Sequence, residues 1–276
     1  MRRMNVFRKV YIAFLLFIMY VPIVLVIVFS FNESRLSSIW SGFSLNLYRE
    51  LFRDRAMFQA LMNSLVLAAV SSLSAAVIGT MGAVGMAFKK NSERNRPASG
   101  RIRGIMEYLS ILPIMTPEII MGMVLLSFFT LLRFPLGMFT LILAHTCFCI
   151  PYIYLLVKAR LAGLDSSFLE AARNLGAGSW RAFWDVLLPL LIPAIISGIL
   201  LSFAMSFDDV IISIFVTGPQ TNTLPIRIYT QIKTGVTPKT NALCSLLFII
   251  TIVLCILSAA VSRIDFRKQN LKRTSQ

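Results

Sequence analysis

Residues 164–176 read Leu-Asp-Ser-Ser-Phe-Leu-Glu-Ala-Ala-Arg-Asn-Leu-Gly, a polar stretch that stands between two long apolar runs. Within it, Ser167 and Glu170 have the spacing of a capping box, in which each side chain bonds the other residue's backbone N–H. Gly176 suits the left-handed position at which many helices end. The stretch therefore predicts a short amphipathic helix that is too polar to cross a membrane.

Apolar runs of about 20 residues or more, the length that crosses a bilayer, account for most of the chain. The composition is 57% hydrophobic and only 14% charged, as in membrane proteins rather than soluble domains. We expect an all-α membrane protein with one domain over residues 1–276 and six transmembrane helices. The expected spans lie near residues 10–31, 63–88, 105–132, 134–157, 190–216 and 242–262.

The polar stretch lies in the loop over residues 158–189, between the fourth and fifth expected spans. A second helix in this loop is predicted to begin at Ser179 and to end before Pro189. Of the 27 lysines and arginines, 19 lie in the terminal segments and in alternate loops that include this one, and 8 lie in the other loops. By the positive-inside rule, both termini and the loop are expected in the cytoplasm. A short interfacial helix is expected over Tyr48–Phe52 on the other side.

The basic residues flank the expected spans instead of forming a patch with interleaved aromatic residues. This placement sets topology and brings the cations to anionic lipid headgroups. Although the net charge is +15, nucleic acid is therefore not expected as a partner.

The polar loop carries a longer pattern. Glu170-Ala171-Ala172 is followed after three residues by Gly176, and after nine more by Val186-Leu187-Leu188-Pro189. This pattern resembles the EAA loop of binding-protein-dependent ABC importer permeases, and it implies the type I importer permease fold. In that family the loop docks into a groove of the ATPase subunit and transmits nucleotide-driven closure to the pore. The residues assigned to this coupling by the resemblance are Glu170, Ala171, Ala172, Gly176, Leu188 and Pro189.

The residues themselves leave a second interpretation of this loop open. Glu170 could serve only to cap its own helix, and Gly176 only to end it. Both interpretations can hold together.

The fifth expected span contains two adjacent acids, Asp208 and Asp209, in an otherwise apolar run. Each costs about 2.5 to 3.5 kcal/mol at the centre of a membrane helix, so such acids indicate a functional site. In a continuous helix, Ser202, Ser206 and Asp209 share one polar face that Ser213 extends. Asp208 points about 100° away from that face, so the two acids are not expected to chelate one small ion.

The third expected span contains Glu118 near its midpoint, after Pro113 and Pro117. The prolines should kink or break the helix, and broken membrane helices at mid-depth mark binding sites. We expect that the three acids can face one cavity, where their repulsion and desolvation would favour either a bound cation or a protonated carboxyl group. The candidate pathway residues are Asp208, Asp209, Glu118, Ser206, Ser202 and Phe207.

An alternative interpretation of these acids is structural. Asp208, Asp209 and Glu118 could bond to neighbouring helices, and the two aspartates could pair with a loop arginine such as Arg227. Phe207 could serve in packing, although an aromatic ring face can also hold an ammonium group.

Three further segments resemble the permeases of spermidine/putrescine importers: Ser206-Phe-Asp-Asp-Val210, Phe215-Val-Thr-Gly-Pro219 and Leu224-Pro-Ile-Arg-Ile-Tyr229. The resemblance covers nearly the whole chain, although Leu47 stands where the family often has tryptophan. It implies a multi-pass protein of the inner (plasma) membrane with a polyamine as cargo. The partners that it implies are a second permease of the same fold, two ATPase subunits and a periplasmic or lipid-tethered binding protein.

The sequence offers few parts for catalysis. It has no G-x-x-x-x-G-K-[ST] phosphate loop, so ATP hydrolysis is expected on a separate subunit. It also lacks H-E-x-x-H and G-x-S-x-G motifs, and we expect a transport subunit rather than an enzyme. His145 is the only histidine and lies near Cys147 and Cys149, but such groups commonly pack or hydrogen-bond within membrane helices. No metal and no cofactor are therefore expected.

Other cargoes and mechanisms stay open at this point. The coupling loop is common to importers of cationic amino acids, thiamine, ferric ion and phosphonates. The acids favour a cation, since a phosphonate site should present arginine or helix N-termini. A proton-coupled carrier is a further alternative, which differs in needing a proton gradient instead of ATP.

Overall fold

The computed structural model describes residues 6–34, 39–92, 97–165, 167–174, 176–234, 239–249 and 252. Over these ranges the chain forms α-helices joined by short loops, with one isolated antiparallel bridge between Asn32 and Phe43. The helices are α1 (Val6–Phe29), α2 (Asn46–Arg53), α3 (Arg55–Ser92), α4 (Pro97–Met115), α5 (Glu118–Leu131), α6 (Met138–Ala162), α7 (Ser167–Asn174), α8 (Ser179–Ala182), α9 (Leu188–Asp208), α10 (Ile211–Val216), α11 (Leu224–Thr234) and α12 (Lys239–Ile249). A π-helical segment, Phe183–Leu187, joins α8 to α9.

Several helical runs are long and apolar enough to cross a membrane. Over the described residues these are Phe7–Phe29, Arg55–Ala87, Met138–Ala162 and Trp180–Asp208, which correspond to the first, second, fourth and fifth expected spans. The helix α12 covers the start of the sixth expected span, most of which lies outside the described residues. The described part thus holds four such runs, or five with the bent pair α4 and α5. The count of six and the cytoplasmic termini stay predictions.

The third expected span is broken. The helix α4 ends at Met115, α5 begins at Glu118, and their directions differ by 108°. The break comes at Pro117, because a residue before proline is forced out of the helical conformation. Pro113, in contrast, is accommodated inside α4. The predicted break is confirmed, and only one of the two prolines causes it.

The fifth expected span differs from its prediction as a single helix. The helix α9 ends at Asp208, and α10 begins at Ile211. Asp209 is extended, with a ψ of 129°, and its carboxylate accepts hydrogen bonds from the backbone N–H groups of Ile212 (3.2 Å) and Ser213 (2.9 Å). A carboxylate that bonds the free N–H groups at a helix start stabilises that start. The prediction of a continuous helix was therefore wrong, because Asp209 begins a new one.

The predicted end of the second loop helix before Pro189 was also wrong. The chain stays helical through Pro189, and the run Trp180–Asp208 is continuous. In the π-helical segment the Leu188 N–H donates to the Phe183 carbonyl five residues earlier. This wider turn accommodates a proline that lacks an N–H and would clash with the carbonyl four residues before it. The run of 29 residues is about 43 Å long.

Residues 1–58 and 230–276 group as one compact unit, of which α1, α2 and α12 are described. The predicted helix at Tyr48–Phe52 is confirmed within α2. The Tyr48 hydroxyl lies 2.7 Å from the Ser30 hydroxyl and donates to the Ser245 hydroxyl at 3.3 Å, so it joins the end of α1 to α12. Buried Asn32 orders the following loop, donating to the Ile39 carbonyl and accepting from backbone N–H groups.

Residues 59–229 form the second unit, with α6 at its centre. The helices α6 and α9 make the most extensive contact in this unit. Their backbones approach closely at Gly198, where an added Cβ would lie 3.1 Å from Ile153. Ser202 of α9 and Cys149 of α6 bond each other's backbone carbonyls at 3.4 and 3.5 Å. Small residues at such crossings are typical of packed membrane helices.

Candidate functional site

The two adjacent acids of the fifth expected span point into different environments. Asp208, the last residue of α9, is exposed. Asp209 is buried, with 3% of its side chain exposed. Asp208 and Asp209 stand at the start of the break between α9 and α10. The sequence predicted that the two acids would not chelate one small ion, and their different environments agree with this.

A buried histidine lies beside this break. His145 of α6 is fully buried, and its Nδ1 is 2.7 Å from the Ser206 hydroxyl of α9. Its Nε2 is 3.0 Å from the Ser213 hydroxyl of α10 and 3.4 Å from a carboxylate oxygen of Asp209. Both ring nitrogens are therefore engaged by residues on either side of the break. A polar network of this kind, satisfied in a dry interior, holds its members in one arrangement.

The predicted polar face is assembled, but by a broken helix instead of a continuous one. Ser202, Ser206, Asp209 and Ser213 are all buried. In this conformation they contact α6, through His145 and the Cys149 carbonyl. For Asp209 this matches the alternative interpretation, in which the acid bonds to a neighbouring helix.

The remaining candidates of the pathway lie at more open positions. Glu118 is exposed and begins α5, directly after the break at Pro117. Phe207 is half-buried and stacks on Phe203, with ring centroids 6.1 Å apart. The exposed acids of the candidate set are thus Asp208 and Glu118, and each stands where a helix is interrupted.

The polar loop begins with a different cap from the one predicted. The Asp165 carboxylate accepts a hydrogen bond of 2.9 Å from the Ser167 N–H, which makes Asp165 the cap and places Ser167 inside α7. Hydrogen bonds from the Ser167 backbone and hydroxyl lower the pKa of the Asp165 carboxyl. The acid two residues earlier thus takes the Ser167 N–H that a capping box would pair with Glu170, and the Glu170 side chain lies outside the described part of the structure. The lowered pKa means that this cap is lost only as the pH falls through it.

The end of α7 follows the prediction. Gly176 has a φ of +80°, and the Ala177 N–H donates to the Ala172 carbonyl at 3.0 Å. This is the pattern of a Schellman motif with glycine at its left-handed position. The loop is therefore ordered around the residues that the sequence singled out.

Small residues hold α7 against the segment that follows it. Ala172 and Ala182 are buried, and α7 contacts α8 and the π-helical segment. Ala171 is exposed on α7, as is the Phe168 ring, half of whose surface is free. Farther on, Leu188 is half-buried and Pro189 is exposed. Ala172 of α7 is thus packed against the following segment, whereas Phe168 and Ala171 of the same helix are exposed.

Sequence reasoning missed two residues of these sites. It gave His145 a packing or hydrogen-bonding role but did not pair it with Asp209, although a buried acid in a membrane helix requires a polar partner. The only histidine, in the apolar run that precedes the acids, was the available signal. It also passed over Asp165, a favourable helix cap that stands two residues before Ser167. Over the described residues, no group of three or more His, Cys, Asp or Glu is placed to hold a metal ion.

Comparison with known proteins gives one family. Residues 79–268 match the family described as binding-protein-dependent transport system inner membrane component. The chain is 37% identical over 259 residues to the spermidine/putrescine transport system permease protein PotC of Haemophilus influenzae, covering 94% of this chain and 96% of that protein. It is 36% identical over 237 residues to the putrescine transport system permease protein PotI of Escherichia coli, covering 83% and 81%.

Solved structures of ABC transporters share the fold. A bacterial transporter involved in the import of the acidic polysaccharide alginate superposes with a TM-score of 0.68 at 15% identity, over 94% of this chain and 95% of that chain. The inward-facing MetNI methionine transporter gives a TM-score of 0.61 at 18% identity, over 76% and 96%. At such identities the likeness concerns the fold alone. With the match over residues 79–268, it follows that the chain belongs to the inner membrane components of binding-protein-dependent transport systems, as a multi-pass permease.

Proposed function

We propose that the chain is a permease subunit of an ATP-driven polyamine importer and forms half of its translocation pathway. The observation that carries the proposal is the 37% identity, over 94% of the chain, to a permease named for spermidine and putrescine. The complex would hold a second permease of the same fold, two ATPase subunits and a substrate-binding protein. Six spans with both termini in the cytoplasm belong to this proposal, and they place the loop with α7 on the side of the ATPase.

The exposed carboxylates suit a polyamine. Asp208 stands at the C-terminal end of α9, where the free carbonyls add negative potential to its own charge. Glu118 stands at the N-terminal end of α5, directly after the break at Pro117. Carboxylates that accept hydrogen bonds from ammonium groups form strong, charge-assisted contacts. Two separated acids can bind two ammonium groups of one extended chain.

The helical run Trp180–Asp208 connects the loop to the pathway. We place α7 in a groove of the ATPase subunit, with Glu170 and Ala171 as the residues of α7 that contact it. Because α7 packs on α8 and the π-helical segment, a displacement of α7 reaches the start of the run. A helix transmits displacement along its axis, so the movement reaches Asp208 at its far end. ATP is hydrolysed on the ATPase subunit, and this chain is not catalytic.

Cargo competition tests the proposal. Cells without other polyamine importers are given the complete transport system, with and without this chain, and accumulation of labelled spermidine and putrescine is measured. We expect uptake only with the chain, and we expect unlabelled polyamine to suppress it. Excess lysine or thiamine should leave it unchanged. Lysine carries a carboxylate beside one of its two ammonium groups, which the acids of the pathway would repel, and thiamine has no pair of ammonium groups on an alkyl chain. Suppression by lysine, thiamine or ferric ion, without suppression by polyamine, would assign the importer another cargo.

A further inference from the structure

One side chain of α6 bonds residues on both flanks of the break between α9 and α10. His145 contacts Ser206 before the break and Ser213 with Asp209 after it, at 2.7, 3.0 and 3.4 Å. A neutral imidazole offers a donor at one nitrogen and an acceptor at the other, so it can engage two hydroxyl groups at once. The His145 ring is fully buried on α6, which is the most deeply buried of the candidate spans. The residues packed around the ring therefore hold it in a fixed position.

Asp208 lies between these anchor points. It is two residues after Ser206 and directly before Asp209, and it is the exposed acid of the break. No proline forces α9 to end at Asp208. The direction of the Asp208 side chain therefore depends on the contacts of the residues before and after the break. From this geometry we infer that His145 is a positioning residue, which fixes the Asp208 carboxylate in the pathway by joining α9 to α10. The inference rests on the proposed transport function for its role, but not for its geometry.

Asp209 takes part in the same set of contacts. The Asp209 carboxylate accepts hydrogen bonds from the Ile212 and Ser213 N–H groups, so it caps α10, and it also faces His145. We call His145, Ser206, Asp209 and Ser213 the junction between α9 and α10. The adjacent acids thus differ in role: Asp209 belongs to the junction, and Asp208 is exposed. Loss of His145 would leave the buried Asp209 without the imidazole that faces it, and would remove the ring that bonds both flanks of the break.

Spin labelling measures the junction without reference to cargo. A nitroxide is attached at Asp208→Cys in the purified chain, and the identically treated parent supplies the signal of its four native cysteines. His145→Phe keeps a ring of similar size without nitrogens. We expect it to shorten the rotational correlation time at position 208 by about threefold or more, because the hydrogen bonds to both flanks are lost. The matched control is Ser197→Ala, which removes an exposed hydroxyl bonded only within α9.

A gentler variant covers the case in which His145→Phe fails to fold. Ser206→Ala combined with Ser213→Ala removes the two hydroxyl partners and keeps the imidazole, and it should also mobilise the label. An unchanged correlation time in the variants that fold, or an equal change with Ser197→Ala, would overturn the inference.

Uptake supplies the second test, through a double-mutant cycle. If His145 acts through Asp208, then His145→Phe lowers polyamine uptake in the parent but changes Asp208→Asn by no more than about twofold. A residue with a purely structural role would lower uptake by the same factor in both backgrounds, and that result would overturn the inference. Mobilisation of the label with polyamine uptake absent in the parent would instead contradict the proposed function and leave the junction intact as a finding.

Discussion

Glu170→Ala should reduce ATP-dependent polyamine uptake by roughly tenfold or more, since a lost hydrogen bond of a charged group costs about 1.5–3 kcal/mol. The structure sharpens this expectation. From the sequence alone, Glu170 could have served only to cap its own helix with Ser167. In the structure the Ser167 N–H donates to the Asp165 carboxylate, so this N–H already has an acceptor other than Glu170. The effect of the substitution should therefore report contact with the ATPase subunit.

The measurement is uptake by membrane vesicles loaded with ATP, normalised to the amount of permease in the membrane. Asp165→Asn is the matched control, because it keeps an oxygen that can cap α7 while it removes a charge from the same loop. We expect Asp165→Asn to transport close to the parent level. Normal uptake by Glu170→Ala, or an equal loss in the control, would argue that this loop does not couple through Glu170.

Asp208→Asn should lower polyamine uptake by roughly tenfold, because it replaces a charge-assisted contact with an ammonium group by a neutral one. Glu118→Gln should act in the same direction. Both side chains are exposed, so the substitutions should leave the amount of folded permease unchanged. Asp185→Asn provides the matched control, since it neutralises another exposed acid of the same helical run, far from the break.

Uptake is measured with saturating binding protein, so that the result reports the pathway instead of delivery. Asp209→Asn should behave differently from Asp208→Asn, because Asp209 is buried in the junction with His145. We expect it to lower the amount of folded permease as well as uptake. Uptake at the parent level in both Asp208→Asn and Glu118→Gln would contradict the proposal that these acids recognise the cargo.

Local chemistry made parts of the fold predictable. Apolar length located four long spans over the described residues. The conformational restriction before Pro117 located the break between α4 and α5. The freedom of glycine at positive φ located the end of α7 at Gly176. Each of these depends on a residue and its immediate neighbours, which a single sequence displays directly.

The errors came where a distant residue decides the local structure. The break after Asp208 has no proline or glycine, and the partner of its junction, His145, is more than 60 residues earlier in the chain. Pro189 was expected to end a helix, but a π-helical turn of ordinary residues carries the helix through it. At α7, two candidates that stand two residues apart could supply the cap, and the sequence did not rank Asp165 above Ser167. In each case tertiary contacts or alternative hydrogen bonds overrode a local rule.

The most direct measurement is the accumulation of labelled spermidine in proteoliposomes that hold this chain with its partner permease, the ATPase subunits and the binding protein. The expected result is accumulation that requires ATP and this chain, and that continues when an uncoupler collapses the proton gradient. Accumulation that continues without ATP and stops with the uncoupler would contradict it, and would indicate a proton-coupled carrier.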